Sequence, residues 1–158
     1  MLTWLEGSAL GQAVRGAGVW SYALINLAHL VGVATLFGSV LVLDLKLLGL
    51  FPRAPLAIVS VTSVPLAVAG FMLAVASGVC LLATNATEYK SNPFLLIKFA
   101  AILVGLCNFA LVRRIPAWQN RWTNTPSERG QRRLALGGGV SLAAWATAVA
   151  AGRMIGYW

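Results

Sequence analysis

Charge is what this chain has least of. Twelve lysines and arginines and four acidic residues make up 10% of its 158 residues, against 59% that are hydrophobic. A soluble domain carries about 25% charged residues, so that class is excluded; the mean hydropathy of +0.80 agrees. From Arg53 to Glu88 no residue is charged, and 28 residues separate Arg15 from Asp44 without one. A bilayer core needs about 20 helical residues, so these runs predict membrane-spanning helices.

Histidine and cysteine are nearly missing as well. The single histidine, His29, excludes a bis-histidine haem site within one chain. The two cysteines, Cys80 and Cys107, fall at depths about 15 Å apart in the expected topology, too far for a disulfide. Both are expected to be packing residues. No secretory signal is visible, since Glu6 precedes any basic residue and Met1 to Gly18 lacks a compact apolar core. The first span is therefore expected to act as its own targeting signal. The net charge of +8 invites nucleic acid, but six arginines sit in one connecting loop, and no soluble domain presents them. Nucleic acid is not an expected partner.

What is present orders itself as one membrane domain over residues 1–158, a four-transmembrane-helix bundle with a short N-terminal interfacial helix. Apolar residues at 2, 5, 9, 10 and 13 predict that helix over 1–15, with Trp4 as its anchor. Spans are predicted at about 20–48, 56–84, 93–112 and 134–158. Ser63, Gly70 and Ser77 form a small-residue seam on the second span, and Pro65 is expected to kink it. Asn92-Pro93 is a helix-start signature, and Thr125-Pro-Ser-Glu128 is a capping-box pattern ahead of the last span. Ala144, Ala148, Gly152 and Gly156 lie four apart, a face that packs either inside the bundle or against another subunit or a second copy.

Basic residues set the expected orientation. Lys46, Arg53 and the arginines of 113–133 lie on one side, facing Arg15 and Lys90 on the other. The positive-inside rule puts the 113–133 loop in the cytoplasm and both termini in the periplasm of a bacterial inner membrane.

On the first span, Tyr22, Asn26, His29 and Asp44 fall within about 60° of one another, a stripe expected to face protein because polar groups in lipid are costly. His29, Lys98 and Arg153 all belong to the outer third, each about 8–13 Å in from its helix end. With no carboxylate at that depth the group is net positive, and an anionic or electron-rich partner is its complement. One candidate is haem b, with His29 as axial ligand and Lys98 and Arg153 pairing propionates, or Lys98 as second ligand. A quinone bonded by His29 or Lys98 is another. A third is a plain polar knot, with His29 bonded to Asn26, Tyr22 or a neighbouring backbone. Copper finds no ligand spacing. Asp44, near Lys46 and Arg53, is expected to be a helix-end ion-pair partner.

The blocks Asn26-Leu-Ala-His29-Leu-Val-Gly, Phe37-Gly-Ser and Asp44-Leu-Lys-Leu-Leu-Gly-Leu, with Ala86-Thr-Glu-Tyr89 through Asn92-Pro-Phe to Lys98, resemble an uncharacterised bacterial family of small four-span inner-membrane proteins. A first-helix histidine with a third-helix lysine is also similar to copper-resistance D-type proteins and HemJ-type protoporphyrinogen oxidases. In the latter those residues are associated with haem, which by resemblance implicates His29 and Lys98. Two functions follow as expectations: a haem-b or quinone-associated component moving electrons near the periplasmic face, or a non-catalytic accessory subunit of a larger complex. No catalytic residue is nominated.

Overall fold

The computed structural model describes residues 7–16, 18–84, 91–123 and 126–157. All regular structure among them is helical, in the order α1 (Ala9–Gly16), α2 (Gly18–Leu47), α3 (Leu56–Thr84), α4 (Pro93–Val112), α5 (Pro116–Gln119) and α6 (Glu128–Met154), with a 3-10 turn over Ile155–Tyr157. Four of the helices are long and apolar enough to cross a bilayer, which makes this a multi-pass membrane protein. Trp4 and the rest of residues 1–6 lie outside the described residues, so the expected first helix is seen only as α1.

Local chemistry explains the helix ends. At the end of α2, Gly49 takes φ +94°, where a side chain would be strained. Its N–H donates to Lys46 O and that of Leu50 to Leu45 O, both at 3.0 Å, satisfying the last carbonyls. At the start of α4, the Asn92 side chain accepts from Phe94 N–H at 3.0 Å, and Pro93 occupies the first position, as expected. At the start of α6 the capping residue is Ser127, accepting from Gly130 N–H at 3.2 Å. The capping box had pointed to Thr125, two residues earlier. Capped there, α6 begins at Glu128, before the apolar stretch expected from residue 134.

Packing runs through two helix pairs, α2 with α3 and α4 with α6, joined where α2 lies on α6. The α2–α3 contact brings backbone against backbone. A Cβ on Gly32 would stand 2.6 Å from Ala74 N, and one on Gly70 2.8 Å from Gly32 O. Ser63, Gly70 and Ser77 are all buried, so the seam is used as expected. In the second pair Trp145 lies over Gly105, where a Cβ would meet its ring at 2.9 Å, and the edge of Trp145 meets Phe71 at 6.1 Å. α3 and α4 scarcely touch.

This packing decides one open alternative and corrects one expectation. Ala144 and Ala148 are buried in the core with Leu36, Val40 and Ala101, and Gly152 carries the Lys98 side chain. That face is consumed within the chain and is not free for a second subunit; of its four residues only Gly156 is exposed. The polar stripe of α2 also fails to meet one environment. Tyr22 and Asn26 are exposed, His29 turns to α3, and Asp44 turns to α6. Helices cross at an angle, so a straight stripe changes neighbours along its length.

Candidate functional site

Two polar centres lie in opposite halves of the bundle. The first is in the half holding the start of α2 and the end of α6. There the His29 Nδ1 lies 2.9 Å from Ala74 O and 3.2 Å from Ser77 Oγ, both on α3. A carbonyl oxygen only accepts, so Nδ1 carries the ring proton and donates it. The Ser77 hydroxyl donates in turn to Leu73 O, leaving its lone pairs for the imidazole. This fixes the tautomer: Nε2 keeps a bare lone pair, with no partner among the described residues. Gly78 makes the seat possible, because a Cβ there would come 3.0 Å from His29 Cε1.

Lys98 of α4 joins this centre. Its half-buried stem lies over Gly152, whose missing Cβ would stand 3.6 Å from Nζ, and its charge acts electrostatically on His29. A lysine can keep its stem in apolar surroundings in this way while the ammonium reaches toward polar ones. Arg153 does not join. It is exposed, its guanidinium lies 4.7 Å over the Tyr157 ring, and it donates to the Tyr157 hydroxyl. Tyr22 and Asn26, also expected at the site, are exposed on the turns of α2 ahead of His29. The structure therefore keeps His29 and Lys98 in one half of the bundle, Lys98 on Gly152 of α6 and His29 on α3, with Ala74, Ser77 and Gly78 as the seat that sequence reasoning missed. Ser77 had signalled only a packing seam, and Gly78 was not singled out.

The second centre is Asp44, about 22 Å further along α2 at 1.5 Å per residue. It is 2% exposed, and Oδ2 has no hydrogen-bond partner among the described residues. The expected ion pair with Lys46 is not formed, since Lys46 Nζ donates to Phe51 O at 2.7 Å. Asp44 faces α6 instead, where Ser141 lines a cavity with it. Gly138 lets α6 close on it, a Cβ there coming 3.1 Å from Asp44 O. Nearby, Asn108 Nδ2 donates to Gly137 O at 2.9 Å and Gln131 Nε2 to Leu47 O at 3.0 Å, tying α4 and α2 to α6. The cavity shared by Asp44 and Ser141 is largely apolar, measures about 110 Å³ and is also lined by Phe71, Asn108, Phe109 and Trp145. Three consecutive glycines at 137–139 were the sequence signal for this close approach.

One arginine of the basic loop is structural. Arg121 donates to Ser60 Oγ at 2.9 Å and to Trp118 O at 2.8 Å, with its guanidinium 4.8 Å over the Trp118 ring. Cys80 and Cys107 are both free thiols. No group of three or more metal-ligating side chains occurs among the described residues.

Comparison with known proteins adds a family. The chain matches, over residues 1–158, the model of a family of unknown function, DUF6644, and it belongs to that family. No curated protein and no solved structure matches it.

Proposed function

We propose that this member of a family without assigned function is a haem-b-associated membrane component that passes electrons. In this reading His29 would hold the haem iron through Nε2, and Lys98 would pair a propionate or serve as a further ligand. One observation carries it: the Nδ1–H to Ala74 O hydrogen bond at 2.9 Å. Metal-binding histidines characteristically donate the second ring N–H to a carbonyl or carboxylate, which fixes the ring and raises the basicity of the ligating nitrogen. His29 has that arrangement, with Ser77 reinforcing it. The Lys98 ammonium, in the same half of the bundle as His29, favours an anionic group, and propionates are one. Haem, when bound, supplies a one-electron couple. The chain's own residues orient the imidazole and supply the positive charge. The arginine-rich loop, by the positive-inside rule, supports a reading in which this centre and both termini face the periplasm of a bacterial inner membrane.

Absorption spectra of the detergent-purified protein, oxidised and reduced, test the reading. A Soret band that sharpens on reduction is expected in the wild type and absent from His29→Ala. Lys98→Ala is expected to shift the band or weaken retention of the pigment. A wild-type preparation without Soret absorbance, or His29→Ala with full haem content, overturns the assignment.

A further inference from the structure

We propose that an open cavity at the end of the bundle carrying the arginine-rich loop is a phosphate site, and that the phosphate is the headgroup of an anionic phospholipid. The cavity measures about 350 Å³, within the roughly 300–1,000 Å³ of small-molecule sites, and its surface is largely polar. Lys46, from the last turn of α2, and Arg121, from the connection between α5 and α6, both line it. No carboxylate lines it among the described residues, and neither cation is in an ion pair among them. Two positive charges that border one space without a counter-charge repel each other, so an anion between them is stabilising.

Both cations keep donors in reserve. Arg121 uses Nε on Ser60 Oγ and Nη1 on Trp118 O, while Nη2 makes no hydrogen bond among the described residues. Those bonds and the Trp118 ring 4.8 Å away already hold the guanidinium, so little side-chain freedom is lost on binding. Lys46 Nζ donates to Phe51 O at 2.7 Å, which leaves two of its three N–H groups. Charged donors from two directions match the several acceptor oxygens of a phosphate. The level of the cavity identifies the source. Leu47, the last residue of one membrane-crossing helix, and Leu56, the first of the next, both line it. Hydrocarbon gives way to headgroups at that level. Between Leu47 and Pro52, both lining residues, Leu48, Leu50 and Phe51 are exposed, and Trp122 is exposed while lining the cavity itself. This apolar rim suits acyl chains, with Trp122 as an interfacial anchor, and a soluble phosphate would make no use of it.

The test is native mass spectrometry of the full chain in mild detergent, titrated with dioleoylphosphatidylglycerol, dioleoylphosphatidylcholine or inorganic phosphate. One phosphatidylglycerol per chain is expected, held about tenfold more tightly than phosphatidylcholine, whose phosphate carries its own cation. Lys46→Gln keeps an amide to reach Phe51 O, is expected to fold, and should weaken retention about tenfold. Arg114→Gln removes the same charge from an exposed position outside the cavity and should change retention by about twofold at most. Equal retention of the two lipids, or equal losses in Lys46→Gln and Arg114→Gln, shows a diffuse attraction to a basic surface and overturns the proposal. Inorganic phosphate bound as tightly as phosphatidylglycerol reassigns the cavity to a soluble anion and overturns it too. The lipid preference is read on the wild type, so it decides the matter even where a variant fails to fold. The cavity lies in the other half of the bundle from His29, so its result is independent of the haem assignment.

Discussion

Gly32→Ala tests the contact on which the histidine seat depends. The new methyl carbon would stand 2.6 Å from Ala74 N, 3.0 Å from Gly70 O and 3.1 Å from Ala74 Cα. All three are backbone atoms of α3, so no side-chain rotation relieves the clash. Restoring an ordinary contact of 3.4 Å moves α3 away by about 0.8 Å at this point. His29 lies one turn earlier on α2 and bonds the carbonyl of that same Ala74 at 2.9 Å. The same movement stretches this hydrogen bond to about 3.7 Å, outside bonding range. Overpacking costs about 1–3 kcal/mol and the lost bond about 1 kcal/mol, so destabilisation of about 2–4 kcal/mol is expected. Thermal unfolding in mild detergent, followed by circular dichroism, should show a midpoint lower by about 5 °C or more. Because the chain has one histidine, ¹⁵N-histidine labelling reports a single imidazole. The wild type should show a neutral ring protonated at Nδ1, and Gly32→Ala a mixture of tautomers. A variant as stable as wild type with an unchanged imidazole spectrum would falsify the backbone-to-backbone contact and the tautomer derived from it.

Three further perturbations probe the rest of the bundle. Trp145→Ala empties the groove over Gly105 and the edge contact with Phe71; a loss of about 3–5 kcal/mol is expected in denaturant unfolding. Arg121→Lys keeps the charge but loses the planar donors that reach Ser60 and Trp118 O together, and a loss of about 1–2 kcal/mol is expected; full stability of the lysine variant would mean that charge alone matters. Asn92→Ala removes both the cap on Phe94 N–H and the bond from Nδ2 to Ile155 O at 3.3 Å, which joins the start of α4 to the end of α6. Destabilisation of about 1–2 kcal/mol is expected, with faster amide exchange at Phe94 and Leu95.

The legible part of this molecule was the part set by local chemistry and by solvent. Uncharged runs located the spans because hydrocarbon tolerates neither charge nor unpaired backbone, whatever the neighbouring helices do. Asn92-Pro93 and Ser63, Gly70 and Ser77 acted where they stood, through a cap and through small size. Gly32 was passed over because a glycine announces close approach only when its opposite number, here Gly70, is known. Arg153 misled for a related reason. Depth along a helix places a side chain at a level, but Tyr157 one turn on supplied a stacking partner that turned it away from His29.

Asp44 marks the boundary most clearly. Its neighbours in sequence, Lys46 and Arg53, implied a surface ion pair, while the fold turns it inward to a cavity shared with Ser141, 97 residues later in the chain. Composition and hydropathy by themselves determined that this protein lives in a bilayer, how many times its described helices can cross, and where most of them begin and end. Only the tertiary structure decided which face of each helix meets which neighbour. Residues 3.6 to the turn fix a side chain's angle about its own axis, but the crossing angle and separation of two helices depend on contacts between distant segments. Those contacts gave His29 its carbonyl and left one oxygen of Asp44 without a donor.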